Sequence, residues 1–211
     1  MYQLYYFPGN ANLVPHMVLE EIGAPHELRL VDRSKGGLTS PDYLKLNPHA
    51  RLPTLVDGDL VLYETAAICL HLVDRHPEAG LAPGLGTAAR AHLYKWIVYL
   101  TNTVQAEMLL YFYPERWAEG AGAAEVQRHA EAHLSEMFDR IETSLAENGP
   151  HLLGSMFSAA DLYLLMLGRW SRGFNRPAKT RPHLARLLER IASRPAVQRA
   201  FAAEGIAAPY Y

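Results

Sequence analysis

The chain changes character near residue 78, and this limits it to folds with two unlike halves. Before that point, short apolar segments rich in Tyr, Leu and Val alternate with turn residues. After it come long stretches of helical apolar spacing with almost no strand pattern. The division read from this is an α/β domain over 1–77, a linker over 78–87 that holds Pro83, Gly80, Gly84 and Gly86, and an all-α domain over 88–211. A length of 211 residues suits one large domain or two small ones, and 49% apolar with 20% charged residues is enough to build a core in each.

In the first half, residues 3–7 read as a strand stopped by Pro8 and Gly9. Asn12 then caps a helix over 13–22, with Pro15 tolerated in its first turn. Residues 27–31 form a second strand. Ser40, Pro41 and Asp42 open a short helix with a cap, a first-turn proline and an acid, and Asn47-Pro48 closes it. Residues 54–56 and 60–62 flank Asp57-Gly58, a hairpin signal, and an apolar helix follows over 65–75. This order fits a mixed sheet with its parallel pair first and its hairpin last.

Beyond the linker, Thr87 caps a long helix through Leu109, broken at Tyr113-Pro114. A loop at 120–122 leads to a helix over 125–147, which Asn148-Gly149-Pro150 stops. Ser158 and Asp161 stand at capping-box spacing, with Phe157 and Leu162 at hydrophobic-staple spacing, so a buried helix with a defined start is predicted. Residues 182–194 and 197–201 complete the helical half.

Charge and cysteine usage exclude several functions. Lys and Arg number 20 against 22 Asp and Glu, a net of -2, and no basic surplus is available to displace counterions from nucleic acid. No apolar run approaches a membrane span and no leader is visible, so a cytoplasmic protein is expected. The single cysteine, Cys69, rules out an internal disulfide, a CxxC redox pair and a cysteine zinc knuckle. It falls on the apolar side of its helix and reads as a buried, inert thiol. His129 and His133, with Glu125 and Glu136 nearby, have the spacing of a metal face but read as a solvated one. No metal and no prosthetic group are expected.

Leu52-Pro53-Thr54-Leu55, with Glu64-Thr65 at the start of the next helix, resembles the glutathione-binding half of cytosolic glutathione transferases. The opening YYFPGNANLVPHMVLEE resembles their first strand, active-site loop and first helix, and SAADLYL resembles the capping-box helix of their α domain. Together these blocks cover essentially the whole chain in family order, and the nearest pattern is that of bacterial beta-class-like members without their active-site cysteine. The resemblance implies a thioredoxin-like N-terminal domain, a helical C-terminal domain, glutathione as co-substrate, a small apolar electrophile as second substrate, a detoxifying transferase reaction and a homodimer. The dimer interface would involve the third helix and the first long helix of the α domain.

Glutathione is an anionic tripeptide, so its site needs backbone pairing, anchors for two carboxylates and an acceptor for an ammonium. If Pro53 is cis, as the resemblance implies, Leu52 offers its main chain to the cysteinyl backbone. Thr65 and free helix N–H groups can receive the γ-glutamyl carboxylate while Glu64 accepts the ammonium. The bland reading is that Thr65 only caps its helix, and both can hold at once. Lys35, Arg51 and His49 are cationic candidates for the glycine carboxylate.

Glutathione must also become a thiolate. Asn12 places an amide donor beside a helix dipole, with Ala11 standing where the cysteine-bearing class has Cys. Tyr6 is the rival, in the strand end that carries the catalytic tyrosine of the tyrosine-type classes, and Asn10 is a third candidate. The electrophile pocket is expected to involve Asn10, Met108, Tyr111, Tyr113 and Trp117, in a stretch where Leu109-Leu110 replaces the His-Lys pair of the bacterial pattern. The alternatives to conjugation are a glutathione-dependent disulfide reductase or peroxidase, and a non-catalytic binder of apolar ligands.

Overall fold

The computed structural model describes residues 1–211. It divides into two compact units, Met1–Ala82 with Ala192–Tyr210, and Pro83–Ile191 with Tyr211. The first unit holds a four-stranded sheet built from β1 (Tyr2–Tyr6), β2 (His26–Leu30), β3 (Thr54–Asp57) and β4 (Leu60–Tyr63), in the order β2-β1-β3-β4. β1 runs parallel to β2, with Leu4 opposite Leu28, and antiparallel to β3, with Leu4 opposite Leu55. The expected hairpin closes with Asp57 opposite Leu60. Gly58 there takes φ 60°, a left-handed turn position that glycine adopts without penalty.

Three helices pack with this sheet: α1 (Leu13–Ile22), α2 (Pro41–Leu46) and α3 (Thr65–Arg75). α1 makes the crossover between the parallel strands, and every residue from Leu13 to Leu19 is buried. A one-sided amphipathic helix would expose part of that run. The reason for its burial is a last helix, Pro195–Ala203, which packs on α1 and belongs to the first unit. Arg194 grips Glu21 with contacts of 2.5 and 2.8 Å, and Arg199 reaches Glu20 at 2.6 Å. Residues 192–210, read from the sequence with the helical half, group here with the α/β unit. Cys69, on α3, is fully buried, and burial pushes its thiol well above the ordinary range.

The second unit contains α4 (Ala88–Tyr99), α5 (Ala106–Phe112), α6 (Ala121–Asn148), α7 (Ala159–Trp170) and α8 (Pro182–Ala192). Thr87 caps α4 as expected, its Oγ1 accepting from the Arg90 N–H at 3.1 Å. The single long helix read through Leu109 is interrupted by a π-helical stretch, Leu100–Gln105. Such wide turns need outside support. The Tyr163 hydroxyl of α7 supplies it, accepting from Thr101 Oγ1 at 2.7 Å and donating to Gln105. The capping box forms too, with the fully buried Asp161 carboxylate accepting from the Ser158 N–H at 2.8 Å and the Leu152 N–H at 2.9 Å.

A second buried charge ties α6 to the segment before α8. Arg181 is 1% exposed, donates from Nε to Asp139 at 2.8 Å, and from its other nitrogens to the carbonyls of Ser135, Arg176 and Pro177. Glu142 accepts from the His183 and Leu184 N–H groups at 3.0 and 2.8 Å, closing the start of α8 from α6. Burial raises both acids, but hydrogen bonds from Arg176 and Arg181 to Asp139, and from His183 and Leu184 to Glu142, hold them below the ordinary carboxylate range. A depressed folded pKa adds stability that is complete above the unfolded value and lost as pH falls through the folded one. The midpoint of denaturant unfolding is therefore expected to fall steadily below about pH 4.5. That loss should be shallower in the Asp139→Asn, Glu142→Gln double variant, and an equal slope in both proteins would remove these two acids as its cause.

Candidate functional site

Three pieces of the first unit come from the segments that carry the resemblance. The first is the loop from Phe7 to Asn12. Asn12 does not cap α1 through its side chain, because its own backbone is already helical at φ -61° and ψ -21°. Its amide turns inward instead. The residue is fully buried, with Oδ1 accepting from the Phe7 N–H at 3.1 Å and Nδ2 donating to Glu204 at 3.0 Å. The expected placement of an amide donor toward a bound thiol is thus not what the side chain shows; it holds the loop.

Glu204, 3% exposed, is the centre of this arrangement. Besides Asn12 it accepts from the Gly9 N–H at 2.8 Å and from His16 Nδ1 at 2.8 Å. The Asn10 side chain faces the other way and accepts from Arg33 at 3.0 Å, while the Arg33 guanidinium lies 5.8 Å from the centre of the Phe7 ring. Tyr6 is half-buried at the end of β1, and its carbonyl accepts from Val31 at 2.9 Å.

The second piece is the turn before β3. The Leu52-Pro53 peptide bond is cis, as the resemblance implies. The turn is braced from α2: the Tyr43 hydroxyl donates to the Arg51 carbonyl at 2.6 Å and meets Thr54 Oγ1 at 3.0 Å, and Asn47 Nδ2 donates to the same carbonyl at 2.9 Å. Burial pushes the Tyr43 hydroxyl up, so it stays protonated as a donor.

The third piece is Glu64-Thr65. Glu64 is exposed and adopts φ 73° and ψ 114°, one of two non-glycine residues in the chain with positive φ. Its side chain makes no capping bond to α3. Thr65 opens α3 and is 6% exposed. Lys35 is exposed and sits 3.3 Å from Asp32, while Arg51 and His49 are both exposed.

Of the side chains expected in an electrophile pocket, Met108 is fully buried in the second unit, so it belongs to the core. Tyr111 and Tyr113 are half-buried, with Tyr111 4.3 Å from the Phe174 ring and Tyr113 under the Arg116 guanidinium at 4.2 Å. Trp117 is 51% exposed. The histidines of α6 lie on a solvated face, where His129 meets Glu125 at 2.9 Å and His133 meets Glu107 at 3.0 Å.

Sequence reasoning missed Glu204, His16, Arg33 and the bracing pair Tyr43 and Asn47. Arg33 had a usable signal, since it lies in the same loop as Lys35. Glu204 had none, because its partners lie up to 195 residues away.

A four-stranded mixed sheet with a crossover helix, followed by a helical unit, defines a two-part thioredoxin-like architecture. Residues 1–74 match the family described as glutathione S-transferase, N-terminal domain, and residues 99–195 match glutathione S-transferase, C-terminal domain. The chain belongs to the glutathione S-transferase family. It is 35% identical over 209 residues to glutathione S-transferase 3 of Zea mays, covering 95% of this chain and 93% of that protein. Among solved structures, a glutathione transferase homolog from Sulfitobacter with bound glutathione superposes with a TM-score of 0.88 at 27% identity, covering 98% of this chain and 99% of that one. The bacterial beta class glutathione S-transferase of Sphingomonas chungbukensis gives a TM-score of 0.84 at 30% identity, covering 97% and 100%. No helix is long and apolar enough to cross a membrane.

Proposed function

We propose that this protein is a glutathione transferase that binds glutathione along its first unit and directs the thiolate at a small apolar electrophile. The observation that carries this reading is Glu64, an exposed acid held at φ 73° with no capping bond of its own. A non-glycine residue in that region costs about 1–3 kcal/mol, and such strain gathers where a side chain must meet a ligand. Glu64 accepts the γ-glutamyl ammonium, the N-terminus of α3 with Thr65 receives the carboxylate, and Leu52 pairs with the cysteinyl backbone. Lys35 or Arg51 meets the glycine carboxylate.

The thiolate rests at the start of α1, where the helix dipole favours negative charge. Asn12 acts as a positioning residue, since its amide is committed to Phe7 and Glu204. The Tyr6 hydroxyl and the Asn10 amide nitrogen are the remaining side-chain donors. The working form is a homodimer, supported by Tyr94 and Val98, which stand four apart on α4 and are 41% and 54% exposed.

The test is the ultraviolet absorbance of bound glutathione thiolate titrated with pH. In the wild type the bound thiol should titrate about one to two pH units below the free value. Tyr6→Phe should move it part of the way back, and Asn12→Ala should lower stability more than it moves the titration. A bound thiol titrating at the free value would instead favour the ligand-binding role.

A further inference from the structure

We propose that His16, Glu20 and His26 bind one zinc ion within the first unit. His16 and Glu20 lie four residues apart on α1 and so share a face, and His26 opens β2 beside them. One ligand atom from each lies within 4.8 Å of the other two. His26 Nε2 already stands 3.7 Å from Glu20 Oε1, and the two imidazole rings are 5.6 Å apart between centres.

The hydrogen bonds around these residues determine which atoms carry protons. The Glu204 carboxylate can only accept, so His16 Nδ1 donates to it and Nε2 keeps its lone pair. The Ala24 carbonyl, 2.9 Å from His26 Nδ1, fixes the second ring in the same way. Arg199 occupies Glu20 Oε2, which leaves Oε1 facing His26. With both rings neutral, these bonds turn three lone pairs toward one another. His16 has a side chain with 0% exposure, and its Nε2 has no hydrogen-bond partner.

A buried acceptor nitrogen without a partner needs an explanation. A proton on His26 would satisfy Glu20 and leave His16 Nε2 still orphaned. A metal ion satisfies all three. Two imidazole nitrogens and one carboxylate oxygen, with a fourth position left for water, form a donor set that suits zinc. Each ligand also has the outer partner that metal-bound histidines and carboxylates use: Glu204 behind His16, the Ala24 carbonyl behind His26, and Arg199 behind Glu20. Because Glu204 and Arg199 come from the last helical segment, a bound ion would fasten that segment to α1 and β2 as well as fill the site.

The experiment uses untagged full-length protein, stripped with a chelator and titrated with Zn(II) by calorimetry and with Co(II) by visible absorbance. One equivalent should bind, cobalt should give the intense bands of a tetrahedral site, and zinc should raise the melting temperature. Glu20→Gln and His26→Gln, both at partly exposed positions, should each weaken binding by more than the roughly 10–100-fold that loss of an outer partner costs, while leaving the circular dichroism spectrum unchanged. Replacing the fully buried His16 risks the fold, so the test does not depend on it. Absence of binding, or wild-type affinity retained in either variant, overturns the site; retention in both would point to an exposed pair such as Glu125 and His129.

Discussion

Replacing Glu204 with alanine is expected to lower the unfolding free energy by about 3–5 kcal/mol, the range for removing one partner from a buried charged network. The carboxylate is 3% exposed and receives the Gly9 N–H, the Asn12 amide and His16 Nδ1. Truncation strands all three donors in a space too dry to hydrate them freely. Glu204→Gln should rescue little of this, although it conserves volume. Its amide nitrogen would have to face one of the same donors, so a donor meets a donor wherever the group is turned. Chemical denaturation at fixed pH measures both variants. A loss below about 1 kcal/mol in Glu204→Ala would mean that the network contributes no more than an ordinary surface contact.

Glu64→Gly is expected to separate folding from binding. Glycine reaches φ 73° without penalty, so unfolding stability should stay level or rise by about 1 kcal/mol. Affinity for glutathione should fall by about 10–100-fold, because the acceptor for the peptide's ammonium is gone and a charged hydrogen bond contributes about 1.5–3 kcal/mol. Calorimetric titration with glutathione beside a denaturation curve gives both numbers from one preparation. Unchanged affinity would show that the strain at Glu64 serves something other than glutathione. A clear loss of stability would show that the carboxylate is structural after all.

Much of the first unit was legible because its signals are local. Pro8-Gly9, Asp57-Gly58 and Ser40-Pro41-Asp42 each act within a few residues, and the sheet they delimit forms as read. Thr87 and the Ser158–Asp161 box are equally local and equally visible. Asn12 shows where this reading stops. An asparagine before an apolar helix is a cap by its neighbours in sequence, yet here a glutamate from the far end of the chain recruits its amide. The π-helical stretch is hidden for the same reason, since Thr101 and Gln105 are spaced as in any helix until Tyr163 of another helix bonds both. Met108 and Tyr111 share one aromatic-rich segment, and only packing decides that the first is core and the second half-exposed.

The composition of the first unit also has a temporal side. Asn12 and the carboxylate it bonds are 192 residues apart in sequence. At translation rates of about 5–20 residues per second, roughly 10–40 seconds separate their synthesis. During that interval the sheet and α1 can leave the ribosome, but the Gly9 N–H, Asn12 Nδ2 and His16 Nδ1 wait for their Glu204 acceptor. The unit that is made first is therefore completed last, and a nascent chain arrested anywhere in the helical half carries an open face on α1 for chaperones to cover.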